Sequence, residues 1–157
     1  MLDAEGHALA ATLSVNLPFG AAFTVPGTGV LLNNEMDDFS AKPGVPNAYG
    51  LIGGDANAVE PGKRPLSSMS PTIVLKDGKP FLVTGSPGGS RIITTTLQLI
   101  SNMIDHGMNV AEATNASRIH HQWLPDDIRV EDGGLSRDTV AALEAKGHTI
   151  AVKSVMG

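Results

Sequence analysis

Cysteine is absent from this 157-residue chain, which excludes disulfides, thiolate metal sites and a cysteine nucleophile. Basic residues are scarce as well. Eleven Lys and Arg against sixteen Asp and Glu give a net charge of −5, and no basic cluster extends beyond Lys63-Arg64, so nucleic acid is not the expected partner. No apolar run reaches membrane-spanning length. The opening residues Met1 to Gly6 carry two acids and no basic segment, so they read as folded chain rather than as a signal peptide. There is no internal repeat. A small polar substrate remains as the expected partner.

What is present suits one globular domain over residues 1–157: 41% of residues are hydrophobic and 17% charged, enough apolar material for a core. Thr72 to Leu75 and Pro80 to Thr84 read as two strands joined by Lys76-Asp77-Gly78-Lys79, in which Asp-Gly is a strong hairpin signal. Met1-Leu2 and Ala8 to Val15 read as a further hairpin around an acidic, Gly-containing turn. Ser90 to His106 is the best helix, because Ile93, Leu97, Ile100 and Ile104 fall at helical spacing on one face, with Ile92, Leu99 and Met103 widening it. A shorter helix is expected over Val110 to Ala116. Ser136 can cap another that ends at Gly147, before a final strand His148 to Val152. Strands and helices mix in an α+β pattern.

Three segments carry chemistry. Pro65-Leu66-Ser67-Ser68-Met69-Ser70-Pro71 sets two adjacent hydroxyls among prolines, where they can donate to a carboxylate. Gly85-Ser86-Pro87-Gly88-Gly89-Ser90-Arg91 opens the long helix with a Gly-Gly pair whose backbone N–H groups can face a developing oxyanion. The intervening hairpin would bring Ser67-Ser68 and Gly88-Gly89 out at the same end of its strands. In the third segment, Gly29 to Phe39, three carboxylates and two amides follow an apolar strand end. Its spacing does not supply a calcium loop, whereas an organic ammonium held by Glu35 and Asp38, with Asn16 as a further acceptor, suits it.

Each motif also has a structural reading. Taken alone, Ser67 and Ser68 are more often turn or cap residues, Gly88-Gly89 is equally a packing turn, and Glu35-Asp37-Asp38 is usually a solvated loop. Asn33, Asn34 and Asp37 are assigned to turn hydrogen bonds. His120-His121 lie on a strand, point to opposite faces and have no third metal ligand at a suitable spacing. Trp123 reads as a packing anchor.

The segments 31–39 (Leu-Leu-Asn-Asn-Glu-Met-Asp-Asp-Phe), 63–71 (Lys-Arg-Pro-Leu-Ser-Ser-Met-Ser-Pro) and 85–91 (Gly-Ser-Pro-Gly-Gly-Ser-Arg) together resemble the small subunit of the gamma-glutamyltransferase (gamma-glutamyltranspeptidase) family. Gly53-Gly54-Asp55-Ala56-Asn57 and Arg118 to Pro125 extend the resemblance over nearly the whole chain. It implies an N-terminal-nucleophile hydrolase fold, an αββα sandwich of which this chain holds part. It also implies a precursor that cleaves itself into a large and a small subunit, the latter opening on a threonine nucleophile. The implied activity is gamma-glutamyl transfer or hydrolysis on glutathione and related amides, through an acyl-enzyme that passes to an amino acid, a dipeptide or water. No cofactor is implied, and the expected location is periplasmic or extracytoplasmic.

Carried over by motif, the resemblance places Asn16, Glu35 and Asp38 on the substrate α-amino group, Ser67 and Ser68 on its α-carboxylate, and Gly88 and Gly89 in the oxyanion hole. Tyr49, within Pro43 to Gly50, matches a lid loop over the glutamyl pocket. Ser14 stands where the family usually keeps a threonine whose hydroxyl supports the nucleophile. The family's Thr-Thr-His run would stand a few residues before Met1, and a further strand pair would follow Gly157. The chain is therefore expected to be most of a small subunit, shortened at both ends, and inactive by itself. Two other readings stay open: a catalytically silent glutamate-binding or scaffolding fragment, and a related amide acylase of the same fold.

Overall fold

The computed structural model describes residues 1–156. Two compact units form, one from Met1–Thr12 together with the chain from Ser68 onward, the other from Leu13–Ser67. The first holds all the regular strands and α-helices. Strands β1 (Thr72–Lys76) and β2 (Lys79–Thr84) form the expected antiparallel hairpin. Asp77 and Gly78 at its tip have φ 53° and 76°, the left-handed pair whose twist matches that of the two strands. Thr72 pairs with Thr84, so Ser68 and Gly88, which flank those residues in sequence, lie on segments that leave the hairpin at one end.

Helix α1 (Ile92–Ile104) begins after a 3₁₀ turn over Gly89–Arg91. Its location agrees with the hydrophobic periodicity, but its buried face does not. Ile92, Thr95 and Thr96 are buried, whereas Ile93, Leu97 and Ile104 remain exposed, Leu97 at 62%. Apolar residues occur on two sides of this helix, and periodicity cannot say which side its own chain covers. The covered side faces α2 (Val110–Asn115) and β3 (Ile119–His120). Asn109 caps α2 in a complete capping box, its side chain accepting from Ala111 N and Glu112 N while Glu112 Oε2 accepts from Asn109 N. Gln98 on α1 closes the edge of β3 in the manner of a further strand. Its Oε1 accepts from Ile119 N at 3.0 Å and its Nε2 donates to Ile119 O at 2.8 Å.

The second sheet runs β3, β4 (Ile128–Glu131), β5 (Ile150–Lys153), with β3 antiparallel and β5 parallel to β4. A parallel neighbour requires a crossover, which helix α3 (Arg137–Glu144) supplies. Ser136 caps α3 by accepting from Thr139 N at 3.2 Å. Past the helix end the chain turns at Gly147, φ 94°, as His148 N donates back to Leu143 O.

Behind this sheet lies a buried ion pair. Arg118 Nη1 stands 3.3 Å from Glu131 Oε1, and that same oxygen accepts from Met156 N at 2.6 Å. Glu131 Oε2 accepts from Arg118 N, and Arg118 Nη2 donates to Thr114 O. One carboxylate thus joins the start of β3, the end of β4 and the segment after β5. Glu131→Ala would strip the acceptors from a buried guanidinium and a buried peptide N–H, at a cost of about 3–5 kcal/mol. Urea denaturation of the purified protein is expected to show this as a lower midpoint with little change in slope.

Two sequence expectations are corrected. The return strand over Ala8 to Val15 is reduced to a bridge between Leu2 and Ala8, with Leu9 N donating to Met1 O. The turn between them is held by Asp3, whose Oδ1 accepts from Glu5 N and His7 N. The hydrogen bond from the His7 side chain, first among several, holds the Asp3 carboxyl below its ordinary range. The apolar strand end before Asn33 is likewise a single bridge, Thr24 to Leu31, in the Leu13–Ser67 unit. That unit is built from turns, bridges and two 3₁₀ segments, Glu35–Asp38 and Asp55–Asn57, with Phe39 buried between them in sequence.

Candidate active site

Within the Leu13–Ser67 unit, five expected site residues come together: Ser14, Asn16, Glu35, Asp38 and Tyr49. The 3₁₀ turn Glu35–Asp38 sets two carboxylates three positions apart, so both side chains share one face of a tight turn. They meet closely enough to hydrogen-bond. Burial first, then that hydrogen bond and the charge of Glu35, with a smaller contribution from Asp37, push the Asp38 carboxyl up to about 6. Such a pair cannot hold two negative charges cheaply without a cation beside it.

Asn16 lies next to this turn. It sits at φ 70°, a conformation Asn tolerates, and its Nδ2 donates to Asn34 O at 3.1 Å. Asn34 Oδ1 in turn accepts from Leu17 N, and Asn33 Oδ1 accepts from Glu35 N. Both amides do the structural work expected of them. Ser14 Oγ accepts from Asn16 N at 2.7 Å, which locks the left-handed turn that aims the Asn16 amide. Tyr49 also reaches this residue, its hydroxyl 3.4 Å from Asn16 O and 3.5 Å from Asn16 Oδ1. The loop carrying Tyr49 is closed by Asn47 Oδ1, which accepts from Tyr49 N and Leu51 N, and by a bridge from Pro46 to Ile52.

Asn57 was not singled out from the sequence, yet it links two parts of this unit. Its Nδ2 donates to Asp38 O at 2.7 Å, and its Oδ1 accepts from Leu66 N at 2.9 Å, directly before Ser67. The signal was an amide at the end of Gly53-Gly54-Asp55-Ala56-Asn57, short enough to bond backbone on both sides. Ser67 ends this unit as an exposed residue.

In the other unit, Ser68 precedes β1 and its carbonyl accepts from Ser70 Oγ at 3.1 Å. Gly88 and Gly89 follow β2 with φ 129° and 61°. Gly88 also has ψ 15°, a region closed to residues with a Cβ, so glycine is required there by the backbone itself. The turn's own hydrogen bond runs from Arg91 N to Gly88 O. The first N–H groups of a helical turn precede its hydrogen bonds and have no partner inside it. They are available to an anion, and the dipole of the 13-residue α1 behind them has the favourable sign.

The histidine pair separates where β3 ends at His120. His120 is buried, its Nδ1 2.8 Å from Thr94 Oγ1 and its Nε2 2.9 Å from Gln122 Oε1, while His121 is exposed and faces Asp126 at 3.1 Å. Trp123 is a correction. It is 71% exposed at φ 74°, so it anchors nothing within this chain. The turn running to the cis bond between Leu124 and Pro125 carries its ring outward, a matter of backbone path that its apolar identity does not encode.

Comparison with known proteins identifies the family. The family model described as gamma-glutamyltranspeptidase matches residues 1–157. The glutathione hydrolase proenzyme of Escherichia coli strain K12 is 66% identical over 157 residues, covering 100% of this chain and 27% of that protein. The corresponding proenzyme of Pseudomonas sp. strain A14 is 57% identical over 151 residues, 96% of this chain and 26% of that protein. The chain thus spans about a quarter of the length of these curated relatives. A gamma-glutamyltranspeptidase mutant from Helicobacter pylori superposes with a TM-score of 0.97 at 59% identity, over 100% of this chain and 84% of that one. With the likeness goes the fold, the α+β architecture of the N-terminal-nucleophile hydrolases, of which this chain carries part. The glycine-locked turn, the acidic 3₁₀ turn and a match from first residue to last lead to one assignment: the chain belongs to the gamma-glutamyltranspeptidase family.

Proposed function

We propose that this chain is the substrate-recognising part of an enzyme that moves gamma-glutamyl groups from glutathione and related amides to water or to an amino acid or dipeptide acceptor. The observation that carries the reading is the Glu35–Asp38 carboxyl pair, close enough to share a proton and adjacent to the Asn16 amide. An α-ammonium brings to such a pair the positive charge it lacks, with N–H donors for several carboxylate and amide oxygens. Ser67 and Ser68 take the α-carboxylate. Gly88 and Gly89 donate to the oxygen of the tetrahedral intermediate, and Tyr49 closes the pocket from its loop. Ser14 keeps Asn16 in register and offers its hydroxyl toward the nucleophile.

The attacking group is a threonine hydroxyl supplied from outside these residues. It adds to the gamma-carbonyl carbon, the carbon–nitrogen bond breaks and the amine leaves with a proton. The acyl-enzyme then passes its glutamyl group to water or to an acceptor amine. The partner is the large subunit of the same precursor. Exposed Leu13, Leu97 and Trp123 are the kind of apolar surface such a partner covers. Among the described residues no helix is long and apolar enough to cross a membrane. From the family likeness alone we assign the enzyme a periplasmic or other extracytoplasmic place.

The test is a comparison of two donors by the complete two-subunit enzyme, gamma-glutamyl-p-nitroanilide and glutaryl-p-nitroanilide, which differ by the α-amino group alone. A preference of about 10² or more in kcat/KM for the first is expected from a charge-assisted site. Equal values would exclude an ammonium site and favour an acylase of other specificity. No turnover of either, with glutamate still protecting the protein from unfolding, would mark a silent binding fragment.

The same pair predicts a pH dependence. Asp38 must be ionised to hold the ammonium, so the KM of a gamma-glutamyl donor is expected to fall as pH rises through about 6, as initial rates across pH 5 to 8 would show. Glu35→Gln removes the neighbouring charge and is expected to move this inflection to lower pH. Stability runs the other way. Between the ordinary carboxyl pKa of 3.8 and about 6 the native state holds a proton that the unfolded chain has released, so unliganded stability falls as pH rises through that window.

A further inference from the structure

Behind the Gly88-Gly89 turn lies a chain of hydrogen bonds that no part of the reaction above uses. Ser90, buried at the turn, donates from Oγ to Gln122 Oε1 at 2.7 Å. Gln122 Nε2 donates to Leu124 O at 2.9 Å. A carbonyl can only accept, so this bond fixes the amide orientation and turns Oε1 toward Ser90 and His120. His120 Nε2, 2.9 Å from the same oxygen, must then be its N–H. In the neutral ring the other nitrogen, Nδ1, accepts from the Thr94 hydroxyl at 2.8 Å. Thr94 stands on the first turn of α1, and its one hydroxyl proton, once given to His120, is not given to Arg91 O, which lies 3.1 Å from the same Oγ1. The path leaves the helix start at Ser90, crosses through Gln122, just after β3, to His120 at the end of β3, and returns to the helix at Thr94. It forms a closed loop around the first turn.

We infer that Ser90, Gln122, His120 and Thr94 are positioning residues that fix the aim of the Gly88 and Gly89 N–H groups. The inference rests on the oxyanion role proposed for those glycines. Glycines gain their conformation at the expense of stiffness, and a Gly-Gly pair with φ 129° and 61° has no side chain of its own to hold it. The adjacent Ser90 side chain is the nearest anchor in sequence, and it is tied to a buried imidazole through one amide. A group held this way resists the small displacements to which oriented catalytic donors are sensitive. None of the four touches substrate in this reading.

The test uses the complete two-subunit enzyme with gamma-glutamyl-p-nitroanilide as donor. Ser90→Ala and Gln122→Ala are each expected to lower kcat about tenfold while the donor KM stays within about twofold. Ser90→Thr, which keeps the hydroxyl, is expected to recover most of the loss. Because the residues act as one unit, the double variant is expected to lose little more than Gln122→Ala alone. Ser90→Ala removes a single oxygen atom and serves as the decisive variant if Gln122→Ala yields no folded enzyme. Unchanged kcat in Ser90→Ala, or a loss carried equally by KM, would overturn the inference. Gly88→Ala separates the two levels. If it leaves kcat intact, the oxyanion reading itself fails. If it abolishes kcat while Ser90→Ala does not, the brace alone is wrong.

Discussion

Replacing Asp38 with alanine is expected to raise the KM of a gamma-glutamyl donor by about 10–10²-fold with a much smaller change in kcat, as initial-rate kinetics on the complete enzyme would show. The magnitude follows from the bond removed. A charge-assisted hydrogen bond to an ammonium is worth about 1.5–3 kcal/mol, and each 1.4 kcal/mol is a factor of ten. Removal also frees Glu35 from its partner, and a lone carboxylate holds a cation less firmly than a pair fixed on one 3₁₀ turn. The α-ammonium carries the same charge in substrate and transition state, so the loss falls on binding in both and leaves kcat nearly intact. Asp38→Asn separates charge from shape. It retains the volume and the backbone acceptance from Asn57, so most of the effect is expected to persist. Glu35→Gln is expected to cost less, because Asp38 remains and ionises more readily.

Gly88→Ala is expected to produce the opposite kinetic signature, a fall in kcat of about 10²–10³-fold with the donor KM held within a few-fold. At φ 129° and ψ 15° a Cβ collides with the backbone, and no side-chain rearrangement relieves a collision inside the residue itself. The peptide must rotate, and with it the N–H groups of the turn that opens α1. Those donors face an oxygen that becomes an anion only as the reaction proceeds, so their displacement is felt in the transition state and little in the ground state. Loss of one comparable donor costs about 2.7–4 kcal/mol in other enzymes. Gly89→Ala is the informative companion. Its φ of 61° is one that other residues can occupy at modest cost, so a milder loss is expected there. A reversed order of the two effects would place the critical donor at the second glycine.

The elements that the sequence located best were those with strong local chemistry. Asp77-Gly78 specified its hairpin because a left-handed pair of residues has few other uses. Ser136 and Gly147 bounded α3 because a cap and a terminator each satisfy orphan backbone groups within a few residues. The hydrophobic spacing from Ser90 onward found α1 but chose its exposed side. Ile93, Leu97 and Ile104 are as apolar as a core stripe, and only the packing of α2 and β3 against Ile92, Thr95 and Thr96 decided which side this chain buries.

Site chemistry divides along the same line. Residue types and order alone pointed to the hydroxyl pair Ser67-Ser68, the acids Glu35 and Asp38 and the glycines Gly88-Gly89, because each performs a task few other residues can perform at that spacing. The sequence could not show that Glu35 stands close enough on one turn to raise the Asp38 carboxyl, that Asn57 bonds both Asp38 and the residue before Ser67, or that Ser90 reaches Gln122 across 32 positions. Trp123 fails for a related reason. Its apolarity favours burial, but the backbone path determines whether a partner surface lies within reach. Local propensity, caps and turn chemistry act over a few residues and are written in the sequence. Hydrogen bonds between distant segments, and the choice of which apolar face is covered, depend on the meeting of elements and were decided by the tertiary structure alone.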